Sequence, residues 1–472
     1  MNTFIRRKKP LKVKIDLTEG PILKKLLFVA IPMLLTSLVQ MAYNLTDIFW
    51  VSRVDRIGQI KEQAVASVGT AGFYAWFGFG LILIVKVGVS VRVSQAAGRN
   101  DQESVNRYAT NGFIAMAILA VLYSIFGVFF GRFFIGLFNI QEEVVFNQGV
   151  SYLRIVSSVG MAYFLVNMFN GVYDGLGKTI NTFYMTVSGL ILNMILDPIL
   201  ILGLGLGVNG AAMATAISQS FVLLSYLILY TSKKRPAKIS FKRYASKETV
   251  RNIMFLGIPV GIQSMLMTSI SIGLGIMVAS YGASIMSVSR IGSQIEALSW
   301  MIASGFQIAL ASFVGQNVGA NQFNRVKEGY KTSMKILIPY GLFVNGLLFF
   351  GSALLFGLFI PDEPTLSQGA NYLRILSISQ IFMILEMVTA GALNGFGKTY
   401  VVSFIQMFGN AIRIPLAFYL SMILTPSVNG IWWALSISSL FKGTSIVILF
   451  LFFLRKLNQQ QKTPKVEKTH AV

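Results

Sequence analysis

Residues 188–200 read Ser-Gly-Leu-Ile-Leu-Asn-Met-Ile-Leu-Asp-Pro-Ile-Leu, and the fold of the chain turns on how Asn193, Asp197 and Pro198 come to interrupt that apolar run. The run lies within residues 183–203, long enough to cross a bilayer as a helix. A carboxylate costs about 2.5–3.5 kcal/mol or more at the centre of such a helix. Asn193 and Asp197 are four apart, so they share a helical face, and Pro198 removes a backbone donor beside the acid. A polar, loosened patch in mid-membrane reads by default as a site. The competing reading is structural, an acid paired with a neighbouring helix only to hold a bundle together.

Composition agrees with a membrane setting. Of 472 residues 54% are hydrophobic and only 12% charged, with mean hydropathy +0.66, and apolar runs recur along nearly the whole length. The expectation is an all-α integral membrane protein with no cleaved leader. There is no cysteine, and the single histidine, His470, falls in the tail, so disulfides, zinc chemistry and histidine catalysis are set aside and no enzyme or cofactor is expected. A net charge of +22 raises the question of nucleic acid, but the cations cluster between apolar segments and mostly on one side. That is the positive-inside pattern, with anionic lipid headgroups as partners and no nucleic acid required.

Helices are predicted at about 26–52, 64–98, 104–131, 146–173, 178–203 and 209–231, then at 248–281, 285–318, 325–359, 365–395, 398–424 and 429–455. The divisions are a cytoplasmic arm 1–25, a first lobe 26–231, a basic linker 232–247, a second lobe 248–455 and a cytoplasmic tail 456–472. Twelve spans put both termini on the basic, cytoplasmic side of a plasma membrane, in a chain expected to act as a monomer.

The two halves repeat. Tyr152-Leu153-Arg154-Ile155 returns as Tyr372-Leu373-Arg374-Ile375, and Gly175-Leu176-Gly177-Lys178-Thr179 as Gly395-Phe396-Gly397-Lys398-Thr399. Asn209-Gly210 matches Asn429-Gly430 at the same offset, and Gln95 matches Gln316 and Pro32 matches Pro259 at slightly larger ones. Each half holds an even number of spans, so the repeat is parallel about an axis along the membrane normal, enclosing a central cavity suited to alternating access. The scaffold repeats but the acid does not: Asn193 and Asp197 correspond to Arg413 and Ala417. The fold alone therefore does not demand Asp197.

The Gly-x-Gly-Lys-Thr copies fail as phosphate loops, because the required earlier glycine is Val172 or Ala392 and no strand precedes them. They read as tight cytoplasmic turns. Gln40, Tyr43 and Asp47 form an i, i+3, i+7 stripe on helix one that is expected to face inward. By depth they can meet Tyr152, Asn193, Asp197 and Thr215, whereas Asn170 counts as deeper. Two carboxylates in a low-dielectric pocket can hold and release one proton, and the neighbouring oxygens can equally complete a shell for Na⁺. Glu296 and Glu386 read either as substrate contacts in the cavity or as structural partners of a cation such as Arg290. Lys86 and Arg92 either snorkel, pair with Asp47 or Glu296, or, with Arg413, mark an anionic or zwitterionic substrate.

Leu17-Thr18-Glu19-Gly20-Pro21-Ile22, Asn44-Leu45-Thr46-Asp47, Ser94-Gln95-Ala96-Ala97-Gly98, the Asn193 to Pro198 run and the paired Gly-x-Gly-Lys-Thr turns together resemble the multidrug and toxic compound extrusion (MATE) transporters of the DinF-like type. The resemblance covers residues 17–455. It implies twelve helices in two six-helix lobes and export of small organic compounds driven by inward H⁺ or Na⁺. By position it implies a cation-coupling network of Gln40, Tyr43, Asp47, Tyr152, Asn193, Asp197 and Thr215, with Asn170 a further member. Lys86, Glu296, Glu386 and Arg413 stand as candidate cavity residues. The rival expectations are a flippase for lipid-linked saccharides, which suits a cationic cavity, and an ion channel, against which the single asymmetric site argues.

Overall fold

The structure, a computed structural model, describes residues 16–57, 60–232 and 235–462. The basic residues of the arm before residue 16, Lys233 and Lys234 of the linker, and Lys465, Lys468 and His470 lie outside the described residues.

Among the described residues eleven helices are long and apolar enough to cross a membrane, and a bent pair supplies the twelfth. The first half runs through helix one (Ile22–Val51), helix two (Lys61–Gly98), helix three (Gln102–Gly136), helix four in two pieces (Glu143–Ser158 and Gly160–Gly175), helix five (Thr179–Pro198) and helix six (Val208–Thr231). The second half holds helix seven (Lys247–Ala279), helix eight (Ala283–Gly319), helix nine (Phe323–Phe350), helix ten (Thr365–Gly395), helix eleven in two pieces (Thr399–Ala411 and Arg413–Ile423) and helix twelve (Val428–Lys462).

Several boundaries are corrected. Helix one begins at Ile22, inside the expected arm, because Pro21 fits the turn that opens a helix. Helix twelve continues to Lys462, so residues 456–462 are helix and not tail; nothing in Arg455-Lys456-Leu457 stops it. Helix four bends by 52° at Val159, and helix nine ends at Phe350 before a short separate helix, Ser352–Gly357, where Gly351 breaks it. The linker is not featureless: Phe241–Tyr244 forms one helical turn docked on helix three, where Asn111 donates to the Tyr244 carbonyl at 2.7 Å.

Packing repeats as the sequence does. Helix one lies on helix five and helix seven on eleven; helix two lies on three and four, and helix eight on nine and ten; helices five and six pair, as do eleven and twelve. Two long seams join the halves, helix two on helix seven and helix eight on helix one, each the image of the other. Small residues let the backbones touch there: a Cβ on Gly257 would come within 1.6 Å of the Ile84 carbonyl oxygen. Outer faces are apolar, with Phe129, Phe350 and Leu354 more than 70% exposed, as a lipid-facing band requires.

The lobes are also tied together at the end where helix one begins, called the basic end below. Gln95 donates to the Gly395 carbonyl, Gln316 donates to the Gly175 carbonyl, and the buried Leu17 donates its backbone N–H to Gln316 Oε1. The motif before helix one therefore docks into the seam between the lobes, held further by Arg325, which donates to the carbonyls of Leu17 and Gly20.

Candidate functional site

Helix five loses its regular ladder where the sequence announces it. Pro198 has no N–H, and the next turn, Ile199–Gly203, widens to a π-helix closed by Leu204 donating to the Ile199 carbonyl at 2.8 Å. This sets Asp197, fully buried, at the last regular turn, with Asn193 one turn before it. Helix one brings Asp47 into electrostatic contact with Asp197. Tyr43 faces Asp47, Asp197 and, on helix six, Thr215, while Tyr152 of helix four faces Tyr43 and both acids. Tyr163, which the sequence reading omitted, also faces Tyr43 from helix four. Its apolar repeat mate and its place among Met161, Ala162 and Phe164 gave no cue.

What marks this cluster is unmet polarity. Both oxygens of Asp197, both amide atoms of Asn193, the Thr215 hydroxyl and one oxygen of Asp47 are buried and make no hydrogen bond within the protein. A buried polar group without a partner costs about 1–3 kcal/mol, so a set of them on three neighbouring helices calls for an ion, a proton or an ordered water. Among the described residues no three acidic or histidine side chains converge. Two carboxylates with amide and hydroxyl oxygens suit one monovalent cation or one proton.

Two expected members stand elsewhere. Gln40 is exposed. It lies about 60° round the helix from Tyr43, at the margin of the buried face. Asn170 belongs to a deeper cluster toward the basic end, where its Oδ1 accepts from the Tyr226 hydroxyl at 2.5 Å. The same cluster holds an acid that sequence reading missed: Asp174, buried, 3.8 Å from Lys86 Nζ and accepting from Thr182 at 3.2 Å. Lys86 thus pairs with Asp174 and not with Asp47 or Glu296. Asp174 sits directly before the Gly-x-Gly-Lys-Thr turn, where it passed for a turn residue.

The second lobe carries its own charges. Glu386 Oε2 lies 3.1 Å from Lys442 Nζ, both side chains being about 5% exposed, while Gln406 donates to Glu386 Oε1 at 2.9 Å. Glu296 accepts from Gln380 at 2.9 Å. Arg413 opens the second piece of helix eleven and donates to Ser438 at 2.6 Å and Ser439 at 3.5 Å, within electrostatic reach of Glu386 and Glu296. Arg290, expected as a partner for these acids, is exposed. It lies early on helix eight, near the end away from the Glu386 pair, whereas helix twelve packs along helix ten.

Comparison with known proteins gives consistent matches. The MatE family model matches residues 32–199 and 259–419. A probable multidrug resistance protein NorM from Thermotoga maritima is 24% identical over 448 residues, covering 91% of this chain and 92% of that one. A multidrug export protein MepA from Staphylococcus aureus is 23% identical, covering 92% and 94%. Among solved structures, an outward-facing conformation of a multidrug resistance MATE family transporter of the MOP superfamily superposes with a TM-score of 0.87 at 22% identity, over 96% of this chain and all of that one. A MATE structure in a bent conformation reaches 0.88 at 23% identity, over 96% of this chain and all of that one.

Proposed function

The chain belongs to the MatE family of membrane transporters, and on that premise we propose that it exports amphipathic organic compounds, drugs among them, by antiport against H⁺ or Na⁺. Its relatives are named multidrug resistance and multidrug export proteins, which supports the substrate class. The basic end faces the cytoplasm, so the acids on helices one and five lie toward the outer half of a plasma membrane and meet the incoming ion first.

The observation that carries the coupling is the buried, unpartnered polarity of Asp197, Asn193, Asp47 and Thr215. In the outward-facing state the ion loads onto the two carboxylates and cancels their repulsion, drawing helix one toward helix five. Helix one also packs on helix eight of the other lobe, so its movement is transmitted across the seam. Pro32, which leaves the Phe28 carbonyl without its helical donor and whose own carbonyl accepts from the Thr36 hydroxyl at 2.8 Å, supplies the flexible point. Loss of the ion on the cytoplasmic side restores the repulsion and resets the lobes.

A flippase of lipid-linked saccharides would want free cations in the cavity. Lys86 is paired with Asp174, and Arg413 lies among serines near two glutamates, which favours the exporter reading. The test is efflux of a fluorescent organic cation from proteoliposomes under a pH gradient alone and a Na⁺ gradient alone. Efflux driven by one of them supports the proposal; efflux indifferent to both sinks it.

A further inference from the structure

Apart from Asp174, which pairs with Lys86, and Glu296, which has the Gln380 amide as partner, the two lobes treat their buried acids in opposite ways. In the first, two carboxylates share a pocket that holds no cationic side chain among the described residues that face it. In the second, Glu386 is closed off by an ammonium, Lys442, at 3.1 Å, and by the amide of Gln406 on its other oxygen.

The repeat shows that this pair is not a packing requirement. The position of Glu386 in helix ten corresponds to Val166 of helix four, and that of Lys442 in helix twelve to Val222 of helix six. Both valines are buried in the core of the first lobe. Both copies keep one close backbone contact: Val222 packs on Gly189, where a Cβ would meet it at 2.3 Å, and the stem of Lys442 packs on Gly409, the repeat mate, also at 2.3 Å. An equivalent helix pair is thus held by apolar side chains in one lobe and by an ion pair in the other. Replacing a buried ion pair with apolar residues is commonly neutral or stabilising, so the scaffold gains little from the charges.

We propose that Glu386 and Gln406 form a monovalent-cation site in the second lobe whose permanent occupant is the ammonium of Lys442, and that this tethered cation keeps that site out of ion coupling. The carboxylate and amide oxygens are ligands of the kind a small cation takes, and Lys442 delivers a unit positive charge to them on a chain anchored in helix twelve. Free ion is then kept from the Glu386 site, and the exchange assigned to Asp47 and Asp197 is not duplicated there. The last step rests on the coupling role given above to those two acids; the occupancy of the Glu386 site does not.

The experiment is thermal unfolding of the purified protein in detergent, with choline, Na⁺ or NH₄⁺ chloride at equal ionic strength. Lys442→Met keeps the stem that packs on Gly409 but ends one atom short of the carboxylate. It is expected to unfold at a lower temperature than wild type in choline and to recover progressively with NH₄⁺ or Na⁺, as a bound ligand requires. Lys442→Met combined with Glu386→Gln is expected to fold without added ion and show no such recovery, and the wild type no dependence that survives Asp47→Asn with Asp197→Asn. A Lys442→Met protein that is as stable as wild type in choline, that stays unstable in every salt, or that responds identically after Glu386→Gln overturns the proposal. Isotope binding reads the consequence: the Lys442→Met chain binds one more ²²Na⁺ than the wild-type chain. These arms do not use transport, so their failure leaves the first-lobe reading standing, and failure of ion-driven efflux leaves the Glu386 site standing.

Discussion

Gln95 of helix two donates to the carbonyl of Gly395 at 3.1 Å, and its repeat mate Gln316 donates to that of Gly175 at 3.2 Å, so the same bond crosses the seam twice in opposite directions. Each glutamine reaches the Gly-x-Gly-Lys-Thr turn of the other half. The backbones come close enough because Gly98 has no Cβ; one there would stand 1.8 Å from the Gln316 carbonyl oxygen. These bonds tie the two lobes together at the basic end.

Removing one of them should favour the state open at that end. A buried hydrogen bond contributes about 0.5–1.5 kcal/mol net, so Gln95→Ala or Gln316→Ala is expected to raise the open population roughly 2- to 12-fold. Gly98→Val should do more, by direct collision. The chain has no native cysteine, so the labelling rate of a single Ser94→Cys reporter, buried in this seam, measures the effect. Unchanged labelling in all three variants would remove the gate from the account.

Asp197 should cost stability where a structural acid would add it. Asp197→Asn keeps the shape and removes a desolvated charge and its repulsion with Asp47, so the thermal midpoint is expected to rise. A fall in the midpoint would mean that the acid serves to hold the bundle together.

Lys86 and Asp174 should behave as a pair. Lys86→Met leaves Asp174 buried with only Thr182, at a cost of about 1–3 kcal/mol, reduced from the fully buried case because Lys86 reaches solvent. Adding Asp174→Asn should restore most of that stability. A double variant no more stable than Lys86→Met would show that the two groups do not interact.

Asn170→Ala should leave ion dependence unchanged. It removes one hydrogen bond of the fully buried Tyr226 hydroxyl, which still has Thr182 beside it, at about 0.5–1.5 kcal/mol, in a cluster apart from Asp47 and Asp197. Tyr152→Phe, facing both acids, should shift the half-saturating ion concentration with little loss of stability. Efflux titrated with the driving ion separates the two; a larger shift from Asn170→Ala would move the site toward the basic end.

The bundle was readable because bilayer thickness turns each apolar run into a span of fixed minimum length, and because the offset between halves ties helix to helix. Asp197 and Pro198 were readable for the same reason: in an apolar run each is an exception with a stated cost. Lys442 was not, since it stands in Ser438-Ser439-Leu440-Phe441-Lys442-Gly443-Thr444, a polar stretch in which a lysine looks like the end of a span. Its repeat mate, Val222, held the missing signal, because Glu386 also replaces a valine. Asp174 was hidden by the turn motif directly after it, and the break at Val159 has no proline or glycine at its own position, only Gly160 after it.

The central claim is that the unpartnered acids of helices one and five turn an ion gradient into uphill export. It is tested most directly by loading proteoliposomes with a fluorescent organic cation and following its movement against its own gradient when an inward ion gradient is imposed. Asp47→Asn and Asp197→Asn should each abolish uphill movement while substrate binding, read by fluorescence polarisation, persists. Uphill export at the wild-type rate in both variants would contradict the account.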